Sequence, residues 1–218
     1  MDSVSHTVKR PRRYNSPLRA GQAAATRQQV LDAAWQLFTR QGYAATTVSQ
    51  VASAAGVSVD TLYTTVGRKP VLLREVVESA ISGTSRAVPA EERDYVVQVR
   101  AAGTAATKIH IYAQAVVGMS PRTAPVFIAL RDAALSDADC AALEAEISSR
   151  RAANMVLFAA DLRRTGELRE DLTDAYIADV VWATASAEHY TQLVATRGWS
   201  PRQFGDYLAE LWQRLFIA

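Results

Sequence analysis

The stretch Thr46–Pro70, TTVSQVASAAGVSVDTLYTTVGRKP, decides the fold. Thr47 followed by Gln50 reads as a capping box, in which side chain and backbone cap one another at a helix start. That helix is short, because Ala55-Gly56-Val57 interrupts it. Ser58 caps a second short helix, and Gly67-Arg68-Lys69-Pro70 breaks it and opens a third, with the proline in its first turn. Val48, Val51, Ala52, Val57 and Leu62 face inward at helical spacing. Two short helices joined by a glycine turn and closed over so small an apolar set form the helix-turn-helix pattern. The second helix is too short and too polar for a core helix, so its outer face meets something other than the chain's own interior.

Upstream, Val30, Leu31, Ala34, Leu37 and Phe38 share one face of a helix starting near Thr26 and closed by Gly42. Residues 1–24 are polar, carry Pro11 and Pro17, and are basic at Lys9, Arg10, Arg12 and Arg13. That composition predicts a disordered arm able to lie along phosphates or enter a minor groove. Downstream, a helix is expected from near Arg68 to about Arg86, then a short one through Val99. Gly103-Thr104 restarts a helix to about Met119, and Ser120-Pro121 opens another to about Leu135. Ser136-Asp137-Ala138-Asp139 caps a long helix reaching about Arg164, closed by Gly166. Thr173 caps one running to about Arg197, closed by Gly198. Ser200-Pro201-Arg202-Gln203 is a second capping box, opening the last helix. Alternating strand patterns and Asn-Gly or Asp-Gly hairpin turns are missing. The expected fold is all-α: arm 1–24, helix-turn-helix domain 25–70, and a larger helical domain 71–218 for effector binding and dimerisation.

Charge is unevenly spread. Residues 1–76 carry 10 Lys/Arg and 4 Asp/Glu, a balance of +6. The rest carry 14 and 18, a balance of −4. A basic N-terminal third on an acidic body points to an anionic partner, nucleic acid first. The single cysteine, Cys140, sits among small apolar residues and excludes an internal disulfide. The N-terminus has no apolar signal region, and no apolar run approaches a membrane span, so the expected location is cytoplasmic.

The segment from Thr26 to Val77 resembles the DNA-binding region of TetR-type transcriptional regulators. The resemblance rests on Gly42-Tyr43, Thr46-Thr47, Ala52, Ala55-Gly56-Val57-Ser58, Leu62-Tyr63, and Lys69 before Leu72-Leu73. The later segments VLFAADLRRTGELRED, ADVVWATASAEHYTQLV and RGWSPRQFGDYLAEL resemble the C-terminal domain of an actinobacterial-type branch. The resemblance implies a dimeric, sequence-specific DNA-binding regulator, a repressor released by a small-molecule effector, with no cofactor. It departs from the family at Thr65, Val66 and Arg68, which concern packing and capping, and at Asp60, which puts a carboxylate on the presumed recognition helix.

Phosphate contacts position such a protein and base contacts specify its site. Thr47, at a helix start, suits a phosphate. Tyr63 and Lys69 match positions that the resemblance implies are phosphate contacts, and Arg68 adjoins them. Ser58, Val59, Asp60, Thr61 and Thr64 are the candidates for groove readout, through a thymine methyl, hydroxyl bonds or cytosine N4. No Arg or Lys lies inside this helix for a bidentate guanine contact, so DNA shape and the arm share the readout. The partner is a near-palindromic duplex. The last two helices are expected to form the dimer seam through Trp182, His189, Leu193, Phe204, Leu208, Leu211 and Leu215. His110, Met119, Phe127, Met155, Phe158, Tyr176 and Trp182 are the candidates for an effector pocket.

Enzyme chemistry finds no support. His6, His110 and His189 are scattered, and no metal spacing, P-loop, GxSxG or GxGxxG occurs. The alternatives to a regulator are a helical protein-interaction module without DNA binding and, behind it, an enzyme.

Overall fold

A computed structural model describes residues 17–84 and 88–218. The four basic residues of the arm lie outside them. The order is α1 (Pro17–Gln41), α2 (Val48–Ala54), α3 (Val59–Thr65), α4 (Lys69–Ser82), a 3-10 turn (Ala90–Glu92), α5 (Asp94–Ala101), α6 (Ala105–Ala134) and α7 (Ala138–Arg163). Then come α8 (Asp174–Thr184), α9 (Ala187–Tyr190), a π-helical segment (Thr191–Thr196) and α10 (Pro201–Phe216). Among the described residues the only β feature is an isolated bridge, Leu168 to Ile217. The fold is all-α, with the helix-turn-helix preceding a larger helical part.

The caps read from sequence form locally. Thr47 and Gln50 close a full capping box on α2, as Ser200 and Gln203 do on α10. Ser58 accepts from the Thr61 N–H at 3.0 Å and starts α3. Between them the Val57 N–H reaches the Ala52 carbonyl and the Gly56 N–H that of Ser53. Gly56 has φ +68°, the left-handed conformation such a stop requires and a side chain resists.

Two buried clusters organise the molecule. The first joins α1–α4 to the C-terminal half of α6 and the first half of α7, through Phe38, Val51, Leu62, Leu72, Leu73, Leu130 and Leu143. The second holds the first half of α6, the second half of α7, and α8–α10, around Ile109, Phe158, Leu162, Ile177, Phe204, Leu208 and Trp212. Helix α6 serves both.

Four element boundaries differ from expectation. α1 begins at Pro17, over two turns before Thr26, so residues 17–24 continue the helix instead of belonging to an arm. Their polarity hid a helix with exposed sides: residues 20–25 are solvent-facing. α4 stops at Ser82, because Gly83 takes φ +71°. Helix α6 runs through Ser120-Pro121 and Pro125 without ending. Each internal proline removes a hydrogen bond and costs about 3 kcal/mol. Burial on both sides of α6 offsets this, and side chains beside Pro121 bond backwards: Ser120 to Val116 O at 2.7 Å, Thr123 to Met119 O at 3.0 Å. Conversely, the single helix expected from Thr173 to Arg197 is broken. α8 stops at Thr184, and Ser186 caps α9 by accepting from the His189 N–H.

Candidate nucleic-acid interface and effector cavity

Helix α3 is held by few contacts. Leu62 is fully buried, and Val59 and Val66 pack partly on the first cluster. Arg27 of α1 donates to Thr65 O at 3.1 Å and pairs with Glu75 of α4, so one guanidinium fixes the C-terminal end of α3 to both neighbours. Ser58, Asp60, Tyr63 and Thr64 then face solvent, as does Arg68 beyond the helix. Tyr63 is 47% exposed, which rules out a core tyrosine. Asp60 has no ion-pair partner among the described residues.

Several hydroxyls are already engaged. Thr61 shares a 2.8 Å bond with Ser58, and Thr64 donates to Asp60 O and Thr61 O. Thr47 is occupied with Gln50 in the capping box. Lys69 is no free lysine: its ammonium stands 4.1 Å from the centre of the Tyr43 ring, and burial lowers its pKa. The Tyr43 hydroxyl in turn donates to Asp137, the N-cap of α7, at 3.1 Å. Burial drives the Tyr43 phenol pKa well above its ordinary value, while the Cys140 N–H holds the Asp137 carboxyl below its own. Lys69 and Tyr43 thus join the start of α4, next to α3, to α7. Arg27 carries no distinguishing mark in the sequence, since an arginine on an amphipathic helix usually reads as solvated.

A cavity of about 420 Å³ lies between α4, the 3-10 turn, α5, α6 and α7. Met119, Phe127, Met155 and Phe158 line it as expected. Three other candidates do not. His110 is exposed on the outer side of α6, and Tyr176 is 48% exposed on α8. Trp182 lines a separate recess of about 30 Å³ that shares Phe127, Ile147 and Arg151 with the main cavity. The helical period shows that a residue belongs to a face, but not which neighbour that face meets.

Tyr112 is the aromatic centre that sequence reasoning missed. Its ring lies 4.7 Å from Phe158, 5.8 Å from Trp212 in a stack, and 6.0 Å from Tyr95. Its hydroxyl donates to Met155 Sδ at 3.3 Å, and burial raises its pKa, so it stays neutral. Beside it, Lys108 and Asp161 form a buried pair at 2.7 Å. Lys108 also donates to Val99 O at 2.6 Å and Arg164 pairs with Asp161.

The cavity wall adjoins the helix-turn-helix. Met119, Ser120 and Thr123 line the cavity, and Arg122 between them grips α1 and α4. Arg122 Nε donates to Ala80 O of α4 at 2.7 Å, and the Arg122 carbonyl accepts from Trp35 Nε1 of α1 at 2.9 Å. Ion pairs from Arg74 to Glu146 and from Arg150 to Glu78 tie α4 to α7 alongside.

The expected dimer seam needs correction. Phe204 and Leu208 are fully buried within the protomer, where the second cluster covers them. A side chain with no exposed surface cannot meet a partner. The strong apolar stripe of α10 is turned inward, and its outer face carries the pairs Arg202–Asp206 and Arg214–Glu210. Trp182, His189, Leu193, Leu211 and Leu215 remain partly exposed.

Residues 30–76 match the family model for bacterial regulatory proteins of the tetR family. Comparison with curated protein sequences finds no significant match. Solved structures share the fold. FadR from Bacillus subtilis in complex with stearoyl-CoA is 20% identical, with 85% of this chain and 96% of that one covered and a TM-score of 0.66. GusR from Salmonella enterica is 18% identical, with 93% and 97% covered and a TM-score of 0.65. A transcriptional regulator from Saccharomonospora viridis in complex with choline is 17% identical, with 88% and 97% covered and a TM-score of 0.66. The helix-turn-helix built as described is thus the segment that matches the tetR family of bacterial regulatory proteins, and the whole chain shares the fold of solved transcriptional regulators.

Proposed function

We propose that the protein is a dimeric, sequence-specific DNA-binding regulator, a repressor released by a small-molecule effector, acting in the cytoplasm and not as an enzyme. The observation that carries this reading is the outward face of α3, where Asp60, Tyr63 and Thr64 stand free of the core next to Arg68. Residues 25–70 form the DNA-binding unit, and 71–218 the effector and dimer unit. Tyr63, Arg68 and Lys69 anchor the backbone, with Thr47 at the start of α2. Ser58, Val59, Asp60, Thr61 and Thr64 face the groove, and Lys9, Arg10, Arg12 and Arg13 supply a basic arm.

Solved structures of the same fold hold choline or stearoyl-CoA, which supports reading the cavity as a ligand site. Ligand against Met119, Ser120 and Thr123 bears on the turn whose Arg122 holds α1 and α4. A ligand that prefers one placement of that turn shifts the spacing of the two α3 helices in a dimer. Trp182, His189, Leu193, Leu211 and Leu215 are retained as seam candidates, with Phe204 and Leu208 supporting them from behind.

The test is a mobility shift on the DNA flanking the protein's own gene, over a range of salt. Binding to an inverted repeat should weaken steeply as salt rises. Tyr63→Phe and Arg68→Ala should weaken cognate and mutated sites by similar factors, since phosphate contacts carry no sequence information. A change in site preference would instead make them base readers. Failure to bind any duplex would favour an interaction module.

A further inference from the structure

The charged groups around the cavity do not balance. Its carboxylates are spoken for: Arg150 holds Glu78 at 2.6 Å, and Lys108 and Arg164 hold Asp161, while Glu91 is exposed on the 3-10 turn. Arg151 has no carboxylate partner among the described residues. Its Nη2 donates to Trp182 O at 3.1 Å and Ala185 O at 3.4 Å, carbonyls in the last turn of α8. No acceptor among the described residues meets its Nε or Nη1. Burial lowers the pKa of this half-buried guanidinium, with Glu188 acting on it only from a distance. Among the described residues Arg93 likewise donates to a carbonyl, Val88 O, and pairs with no carboxylate. In the adjoining recess the Trp182 ring lies under Arg151 at 5.4 Å, and its Nε1 is buried without an acceptor among the described residues. Donors and positive charge are in surplus, against an otherwise apolar, aromatic wall.

We propose that the cavity takes an organic acid with a largely apolar body, its carboxylate seated on Arg151. The inference rests on reading the cavity as the effector site. A carboxylate oxygen takes a charge-assisted N–H bond from a guanidinium, and Nε and Nη1 each offer a donor that no described acceptor meets. Tyr112, Phe127, Met155 and Phe158 surround the rest of the ligand. Capping α8 is a structural use of Arg151, but it engages one nitrogen and leaves the charge uncompensated. An organic cation would meet Arg151 and Arg93 as like charges.

The test compares decanoate, decanol and decyltrimethylammonium, matched in chain length, by calorimetric titration of the full-length protein. Decanoate should bind tightest. Arg151→Gln should weaken decanoate by about ten- to a hundredfold, the worth of a charged hydrogen-bonded pair, and leave decanol unchanged. Arg151→Lys, which keeps the charge, should retain part of the affinity. Where Arg151→Gln fails to fold, by circular dichroism, the ranking of the three probes on the wild type decides. Equal or tighter binding of the alcohol or the cation overturns the proposal, as does decanoate binding unaffected by Arg151→Gln, or binding of none of the three. If decanoate binds through Arg151 but leaves the DNA complex intact, the ligand class stands and release by effector fails. If only the cation or the alcohol dissociates the DNA complex, regulation stands and the acid assignment fails.

Discussion

At Gly205, α10 crosses α6 so closely that only hydrogen fits. A Cβ built there would lie 2.5 Å from Val117 Cγ2, nearer than real side chains approach. Val117 is β-branched and has little rotamer freedom on a helix, so the helices themselves would have to part. Gly205→Ala gains about 1 kcal/mol of helix propensity but meets an overpacking cost of about 1–3 kcal/mol. A lowered melting temperature is expected, with recovery in the double variant Gly205→Ala, Val117→Ala. At this scale the capping residues were readable in advance. Thr47, Ser58, Asp137, Thr173 and Ser200 each accept from an N–H three residues on, a bond that needs only the local chain. Gly205 was not readable, because its requirement comes from Val117 on another helix.

Among elements, α5, α6 and α7 meet at a buried ion pair. Lys108 of α6 reaches Asp161 of α7 and the last-turn carbonyls Val99 and Arg100 of α5. Both side chains are more than nine-tenths buried. Removing one partner leaves the other charged and desolvated, a loss of about 3–5 kcal/mol. Lys108→Met should therefore destabilise the protein by roughly 3 kcal/mol in denaturant unfolding, Arg164 still compensating Asp161 in part. Lys108→Met combined with Asp161→Leu should recover much of it. Elements also show where sequence reading went astray. Ser120-Pro121 is a sound helix start by local rules, but α6 lies between two cores, and burial outweighs the two lost backbone bonds. The break before Ser186 goes the other way. A helix stop is tolerated because Arg151 and Trp212 take up the polar groups around it: Arg151 the carbonyls of Trp182 and Ala185, Trp212 the Thr184 hydroxyl.

For the whole molecule, pH provides a test of the second core. His189 is packed against Phe204 and Tyr207, with its Nε2 buried and without a partner among the described residues. Burial lowers its pKa from the ordinary 6.5. The folded state therefore binds its proton less readily than the unfolded chain. Its stabilising contribution is complete above the unfolded value and is lost as pH falls from about 6.5 toward the lowered folded value. Unfolding free energies at about pH 8 and about pH 5.5 should show this loss, and His189→Leu should flatten it.

The all-α class, the two short helices around Gly56 and the polar outer face of α3 were legible from Thr46–Pro70, because caps, turns and hydrophobic period act over a few residues. Part of the cavity wall was legible too: Met119, Phe127, Met155 and Phe158 are large apolar residues on helices that had to pack somewhere. Packing alone turned His110 and Tyr176 to solvent, sank Phe204 and Leu208 into one protomer, and brought Tyr112 and Arg151 to the cavity. A helix has an apolar face whichever neighbour it meets, and which neighbour it meets depends on contacts between residues far apart in the chain.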